Sequence, residues 1–226
     1  MFDGRPVSPP TSAGDDGLYK CYIDWDSKLW EVFWTGSAKY PDFSHLKLHP
    51  VDLSDEVSTT WSSSKAKDFD SRAFIRVSHE GAFPVVKIAH PDTEARHHVQ
   101  HEFELMRTLS SFPGVANVDS EPLTDSEGVY GFRLEELRAI DFENIKDWSS
   151  KVREVVKELH EHGYCHGDLS PSNVMINDVG QIVLIDLAFS GVIGEDIPKH
   201  IPRWVYTNST VFDATADEVR LRRYFD

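Results

Sequence analysis

Apolar and polar positions alternate along two early stretches of the chain. Tyr19, Cys21, Ile23 and Trp25 share one face, Lys20 and Asp24 the other, and Trp30, Val32 and Trp34 repeat the spacing after a break. A period of two marks half-buried strands, and Asp26-Ser27 between the runs predicts a hairpin. Further strands are predicted over residues 72–78 and 83–89, joined by a turn at Glu80-Gly81, and over 129–137. Elsewhere the period lengthens. Val99, Phe103, Met106 and Leu109 predict a helix that opens near Pro91-Asp92 and is stopped by Pro113-Gly114. Trp148, Val152, Val155, Val156 and Leu159 form the stripe of a second helix over about 144–162, with Gly163 as its C-terminal cap. Two short apolar strands, 174–176 and 181–185, then flank the turn Asn177-Asp178-Val179-Gly180.

What is left over is less patterned. Residues 1–17, rich in Pro, Gly, Ser and Asp, read as a flexible arm, and 39–55 carry two prolines and fit neither period. Strands concentrate in the first half, which predicts an α+β protein rather than a doubly wound one. At 226 residues the chain can form one domain or two small lobes. The formal net charge of −15 disfavours non-specific attraction to nucleic acid or an anionic membrane, so neither is an expected partner. Two cysteines, Cys21 and Cys165, cannot make a disulfide framework. With no basic-then-apolar leader and no stretch long enough to span a bilayer, the expected setting is intracellular, cytoplasmic or nuclear.

The chemistry concentrates in His166-Gly167-Asp168-Leu169-Ser170-Pro171-Ser172-Asn173 and in Ile185-Asp186-Leu187-Ala188. Phosphoryl transfer asks little covalent chemistry of a protein: an aligned nucleophile, and cations that neutralise phosphate. Asp168 can accept the proton of an attacking hydroxyl or orient it, while Asn173 and Asp186 offer hard oxygen ligands suited to Mg²⁺.

These segments resemble the protein-kinase-like superfamily. Its H-R-D-L-x-x-x-N loop corresponds to HGDLSPSN and its D-F-G motif to Asp186-Leu187-Ala188, at the family's intervals. Glycine after the histidine is the form of aminoglycoside and choline phosphotransferases and of the small kinases of the KEOPS complex. The resemblance implies a two-lobed fold with ATP and Mg²⁺ between the lobes: a β-rich N-lobe with one helix (18–137) and a reduced helical C-lobe (138–226). By the same resemblance Asp168 is the catalytic base, Asn173 and Asp186 hold the metal, and His166 supports the loop. Val85-Val86-Lys87-Ile88 resembles V-A-I-K, so Lys87 is expected at the α- and β-phosphates with Glu102 as its counter-charge and Glu104 as the fallback. Leu134-Glu135-Glu136-Leu137 resembles the hinge, with Leu134 as gatekeeper and backbone groups of Glu135 and Leu137 at the adenine edge. Asp217 matches the acidic residue of the family's central C-lobe helix.

The departures shape the functional expectation. The glycine-rich loop is expected between the two strands before Lys87, yet Ser62-Ser63-Ser64-Lys65-Ala66-Lys67 has no glycine; its hydroxyls with Lys65 and Lys67 are alternative phosphate ligands, or the stretch is a polar turn. Ala188 replaces the metal motif's glycine. Nine residues follow Asp217, with no A-P-E motif, and 18–55 lie outside the resemblance, where an added sheet on the N-lobe is one reading. Three functions follow: an atypical Ser/Thr protein kinase, a small-molecule kinase, and a nucleotide-binding scaffold. The missing C-terminal helices, which build the acceptor pocket in antibiotic phosphotransferases, tip the expectation towards a protein acceptor. The sequence leaves the oligomeric state open. Histidines at 97, 98, 101, 160, 162 and 166 raise zinc as a rival, but no Cys or carboxylate pattern completes a site.

Overall fold

The computed structural model describes residues 3–14, 17–78, 81–207 and 209–226, so Glu80 of the predicted turn lies outside the described residues. The chain forms two compact units that interleave along the sequence. One is Met1–Arg96 with Pro122–Arg133, the other His97–Glu121 with Leu134–Asp226. A boundary drawn along the chain at 137/138 therefore differs from the division by compactness, which cuts the helix that follows Lys87.

The first unit holds two five-stranded sheets. Strands β1 (Arg5–Pro6), β2 (Thr11–Ser12), β3 (Leu18–Trp25), β4 (Lys28–Thr35) and β5 (Leu48–Pro50) make one, with β2 pairing β3 beside the path β1-β3-β4-β5. The predicted hairpin is there: Trp25 pairs with Lys28, and Asp26 and Ser27 both have positive φ, as a two-residue turn matching strand twist requires. Part of the segment expected as a flexible arm is paired instead. Arg5–Pro6 and Thr11–Ser12 lie against β3, Val7 is buried, and Ser8 Oγ accepts the Tyr22 N–H at 2.8 Å. Proline is compatible with such an edge position because no ladder bond is asked of its nitrogen.

Helix α1 (Asp55–Ser62) follows, capped by Ser54, whose side chain accepts from the Val57 N–H. The second sheet has the order β6-β7-β8-β10-β9, from β6 (Lys65–Phe69), β7 (Ala73–Val77), β8 (Val85–Ala89), β9 (Leu123–Asp125) and β10 (Gly128–Leu134). The loop expected over 62–67 is corrected here. Ser62 ends α1, Ser64 Oγ donates back to Thr60 O at 2.6 Å, and Lys65 already belongs to β6. These serines finish a helix because their hydroxyls satisfy its last carbonyls. Val7, Leu29, Val57, Trp61, Phe74, Val86, Ile88 and Tyr130 make one core from both sheets and α1. Arg76, 2% exposed, ties them together. It bonds Asp24 Oδ2 (2.7 Å), Ser64 Oγ (2.8 Å) and the carbonyls of Trp61 and Ser64, with its guanidinium over the Trp61 ring. The sheet formed by residues 5–50 is thus built into this unit.

Helix α2 (Thr93–Thr108) buries Val99, Phe103 and Met106, and Leu109 just past its end is buried as well, completing the predicted stripe. In the second unit the chain after α2 pairs with a later hairpin: Leu184 N–H donates to Gly114 O and Ala116 N–H to Leu184 O. Short strands β11 (Arg138–Ala139), β12 (Tyr164–Cys165), β13 (Val174–Ile176), β14 (Ile182–Leu184) and β15 (Gly191–Val192) form sheets β11-β13-β14 and β12-β15. Helix α3 (Ser149–Glu161), entered by a 3-10 turn at Ile145–Trp148, sinks Val152, Val156 and Leu159 completely, and α4 (Thr215–Phe225) buries Ala216, Asp217, Leu221 and Phe225. Both cysteines are free and buried, which pushes each thiol up to about 12. No helix among the described residues is long and apolar enough to cross a membrane.

Candidate active site

Three predicted residues come together through one hairpin. In β13–β14, Val174 pairs with Leu184, and the Ile185 N–H donates to Asn173 O at 3.1 Å. Asn173 thus stands across from Ile185, with Asp186 next in the chain. Asp186 has φ 61° and ψ 61°, a left-handed conformation that aspartate tolerates better than most residues. Asn173, 8% exposed, donates from Nδ2 to Asp168 O at 2.8 Å. That bond fixes the amide so that Oδ1 is its remaining polar atom, oxygen being the donor type a hard cation requires.

Asp168 sits on the loop leaving β12, and the loop is held from below. Asp217, fully buried on α4, accepts the N–H groups of His166 (2.7 Å) and Gly167 (2.8 Å) and lies 3.0 Å from His160 Nε2. The His166 ring is fixed at both nitrogens: Nδ1 accepts from the Asp168 N–H, so Nε2 donates to Ile185 O at 3.0 Å. That ring joins the Asp168 loop to the Ile185 carbonyl, one residue before Asp186. Gly167 has φ 77°, and a Cβ there would strike the Tyr206 hydroxyl and lie 2.6 Å from Phe189 O. The glycine that sets this loop apart from H-R-D has a local steric cause.

Burial raises the pKa of Asp168, with Asp186 and Asp217 adding to the shift while His166 and Arg220 oppose it. The Asp168 and Asp186 carboxylates with the Asn173 amide oxygen are hard oxygen donors of the kind a divalent cation takes. Arg220, 3.8 Å from Asp168 Oδ1, was not foreseen; its place on α4 three residues after Asp217 puts both on one helix face.

The other predicted residues fall as follows. Lys87 is buried on β8, and Nζ lies 3.1 Å from Asp70 Oδ2, a partner the sequence reading did not name. Glu102, 2% exposed, and Glu104, exposed, are on α2 in the second unit. Lys65 and Lys67 are exposed on β6. Leu134 ends β10, Leu137 is buried, and the Glu135 N–H donates to Asn117 O at 3.1 Å, so that N–H is already engaged. The histidines of α2 surround His200, with ring centroids 6.4, 5.2 and 5.5 Å away for His97, His98 and His101. His101 Nε2 is engaged with Ser190 O at 2.8 Å, and among the described residues no group of three or more His, Cys, Asp or Glu could hold a metal ion.

Comparison with known proteins fixes the class. A chain in the structure of the CAK complex from Chaetomium thermophilum bound to ATP-γ-S superposes with a TM-score of 0.53 at 16% identity, over 71% of this chain and 59% of that one. The fold is therefore protein-kinase-like, α+β with a β-rich N-terminal part. Within that class the RIO domain matches residues 63–194, more than half of the chain, and the chain belongs to the RIO-domain family. It is 38% identical over 74 residues to the RIO-type serine/threonine-protein kinase Rio2 of Methanocaldococcus jannaschii, covering 30% of this chain and 25% of that protein. It is 37% identical over 75 residues to the RIO-type serine/threonine-protein kinase Rio1 of Haloferax volcanii, covering 33% and 23%. These matches span about a quarter of the length of the curated relatives.

Proposed function

We propose that this chain is an ATP- and Mg²⁺-dependent phosphotransferase that moves the γ-phosphate of ATP to a serine or threonine hydroxyl of a protein. One observation carries the reading: the His166–Asn173 loop, anchored on Asp217, and the β13–β14 hairpin bring Asp168, Asn173 and Asp186 to one place. Family membership and the names of the relatives, serine/threonine-protein kinases, support a protein acceptor over a small molecule.

In the proposed reaction Asp168 accepts the acceptor hydroxyl's proton as its oxygen bonds to the γ-phosphorus and the bond to the β-phosphate oxygen breaks, releasing ADP. Asn173 Oδ1 and the Asp186 carboxylate hold Mg²⁺, which when bound neutralises charge on the phosphates. Lys87 meets the α- and β-phosphates, and Glu135 and Leu137 offer backbone groups to adenine.

Asp168→Asn preserves shape and removes the base. ATP–Mg²⁺ affinity stays within about twofold, while turnover on a protein acceptor falls by a factor on the order of 10² or more. Unchanged turnover in that variant refutes the assignment. ATP also raises the melting temperature more with Mg²⁺ than with EDTA, and Asp186→Ala removes that difference.

A further inference from the structure

The turn between β6 and β7 stands where a kinase-like fold places its phosphate loop, one strand ahead of β8, which carries Lys87. Here that turn is Asp70-Ser71-Arg72, without glycine. The Asp70 carboxylate is gripped on both oxygens. Oδ1 accepts the N–H groups of Arg72 and Ala73, each at 2.6 Å, and Oδ2 lies 3.1 Å from Lys87 Nζ. The Asp70 N–H closes the turn on Ala73 O at 3.0 Å. Two backbone N–H groups on one oxygen and an ammonium on the other are the donors a phosphate would use. Burial alone disfavours charge on Asp70, but Lys87 and the turn's N–H groups outweigh it and hold the carboxyl below the ordinary range.

We propose that Asp70 is an internal phosphate mimic: its carboxylate sits in the phosphate seat formed by Lys87 and the Arg72–Ala73 N–H groups, and a nucleotide must displace it to bind. Asp70 thereby sets the affinity of the site for nucleotide phosphates. This rests on the reading that Lys87 meets phosphate.

The discriminating variant is Asp70→Asn, which can still accept the turn's N–H groups but brings no charge to Lys87. Asp70→Ser, which supports the same kind of turn with a hydroxyl, serves as the second variant should the first misfold. Binding of ATP–Mg²⁺ and of inorganic tripolyphosphate is measured by calorimetry for the wild type, both variants, and each combined with Lys87→Met. The expected result is about tenfold or greater tightening for both probes, the scale of one charge-assisted contact, and loss of that gain in the Lys87→Met background. If wild type and variants bind ATP–Mg²⁺ equally, or the variants bind more weakly, the mimic is refuted while the nucleotide reading stands. Tightening for tripolyphosphate with no binding of ATP–Mg²⁺ by any of the proteins leaves the mimic standing and removes the nucleotide reading. No binding of either probe by any of the proteins overturns both.

Discussion

At Gly167 the backbone itself decides which residue can be present. A side chain there meets a left-handed φ and two oxygens at once, those of Tyr206 and Phe189. Gly167→Ala should destabilise the protein by about 3 kcal/mol, combining a strained non-glycine conformation with an overpacked contact, as read from urea unfolding. His90 is governed by burial instead. Its ring is 6% exposed, packs on Phe74 and Tyr22, and is pushed from 6.5 down to about 4 chiefly by loss of hydration. The native state keeps the imidazole neutral while the unfolded chain takes up a proton below 6.5. The stability this provides is complete above pH 6.5 and is lost as pH falls towards 4, by about 3 kcal/mol over the window. His90→Phe retains the ring contacts, so the slope of unfolding free energy against pH between 6.5 and 4 should flatten by that amount.

Helix α4 holds the catalytic-loop backbone through Asp217. Asp217 offers two fully buried oxygens to three donors from α3 and the His166–Gly167 backbone. Replacing one oxygen with NH₂ sets donor against donor. Asp217→Asn should cost about 3 kcal/mol and, more diagnostically, remove hydrogen-exchange protection from the His166 and Gly167 amides before that of α3. Retained protection would mean the loop is held by something other than α4. Helix α1 shows what local signals can do. Ser54 followed by Asp55 and Glu56 is an N-cap with an acidic first turn, legible in the sequence, although two nearby prolines obscured it.

The first unit depends on a buried charge pair that spans its two sheets. Arg76 is 2% exposed, and its ionic partner is Asp24, 52 residues earlier on β3. Asp24→Asn leaves most of the guanidinium's hydrogen bonds in place but removes the compensating charge. The expected cost is about 3 kcal/mol, seen as a shift in denaturation midpoint with no loss of cooperativity, because both sheets share one core. A separate early transition for the Leu18–Thr35 hairpin would contradict that shared core.

Sequence alone carried the hairpin at Asp26-Ser27, the apolar stripes of α2 and α3, and the segments containing Asp168, Asn173 and Asp186. Each depends on a short-range rule: a period, a turn pair, or spacing along a loop and one hairpin. Tertiary structure decided the rest. Ser62–Lys67 reads either as a glycine-free phosphate loop or as a polar turn, because hydroxyls and lysines suit both, and only the packing of Trp61 and Arg76 makes it the end of α1 running into β6. Asp70 as a partner for Lys87, Arg220 beside Asp168 and Asp24 beneath Arg76 are pairings across 17, 52 and 52 positions of chain. No periodicity encodes such distances; they exist once strands and helices have packed, because a buried charge is stable only where a partner is brought to it.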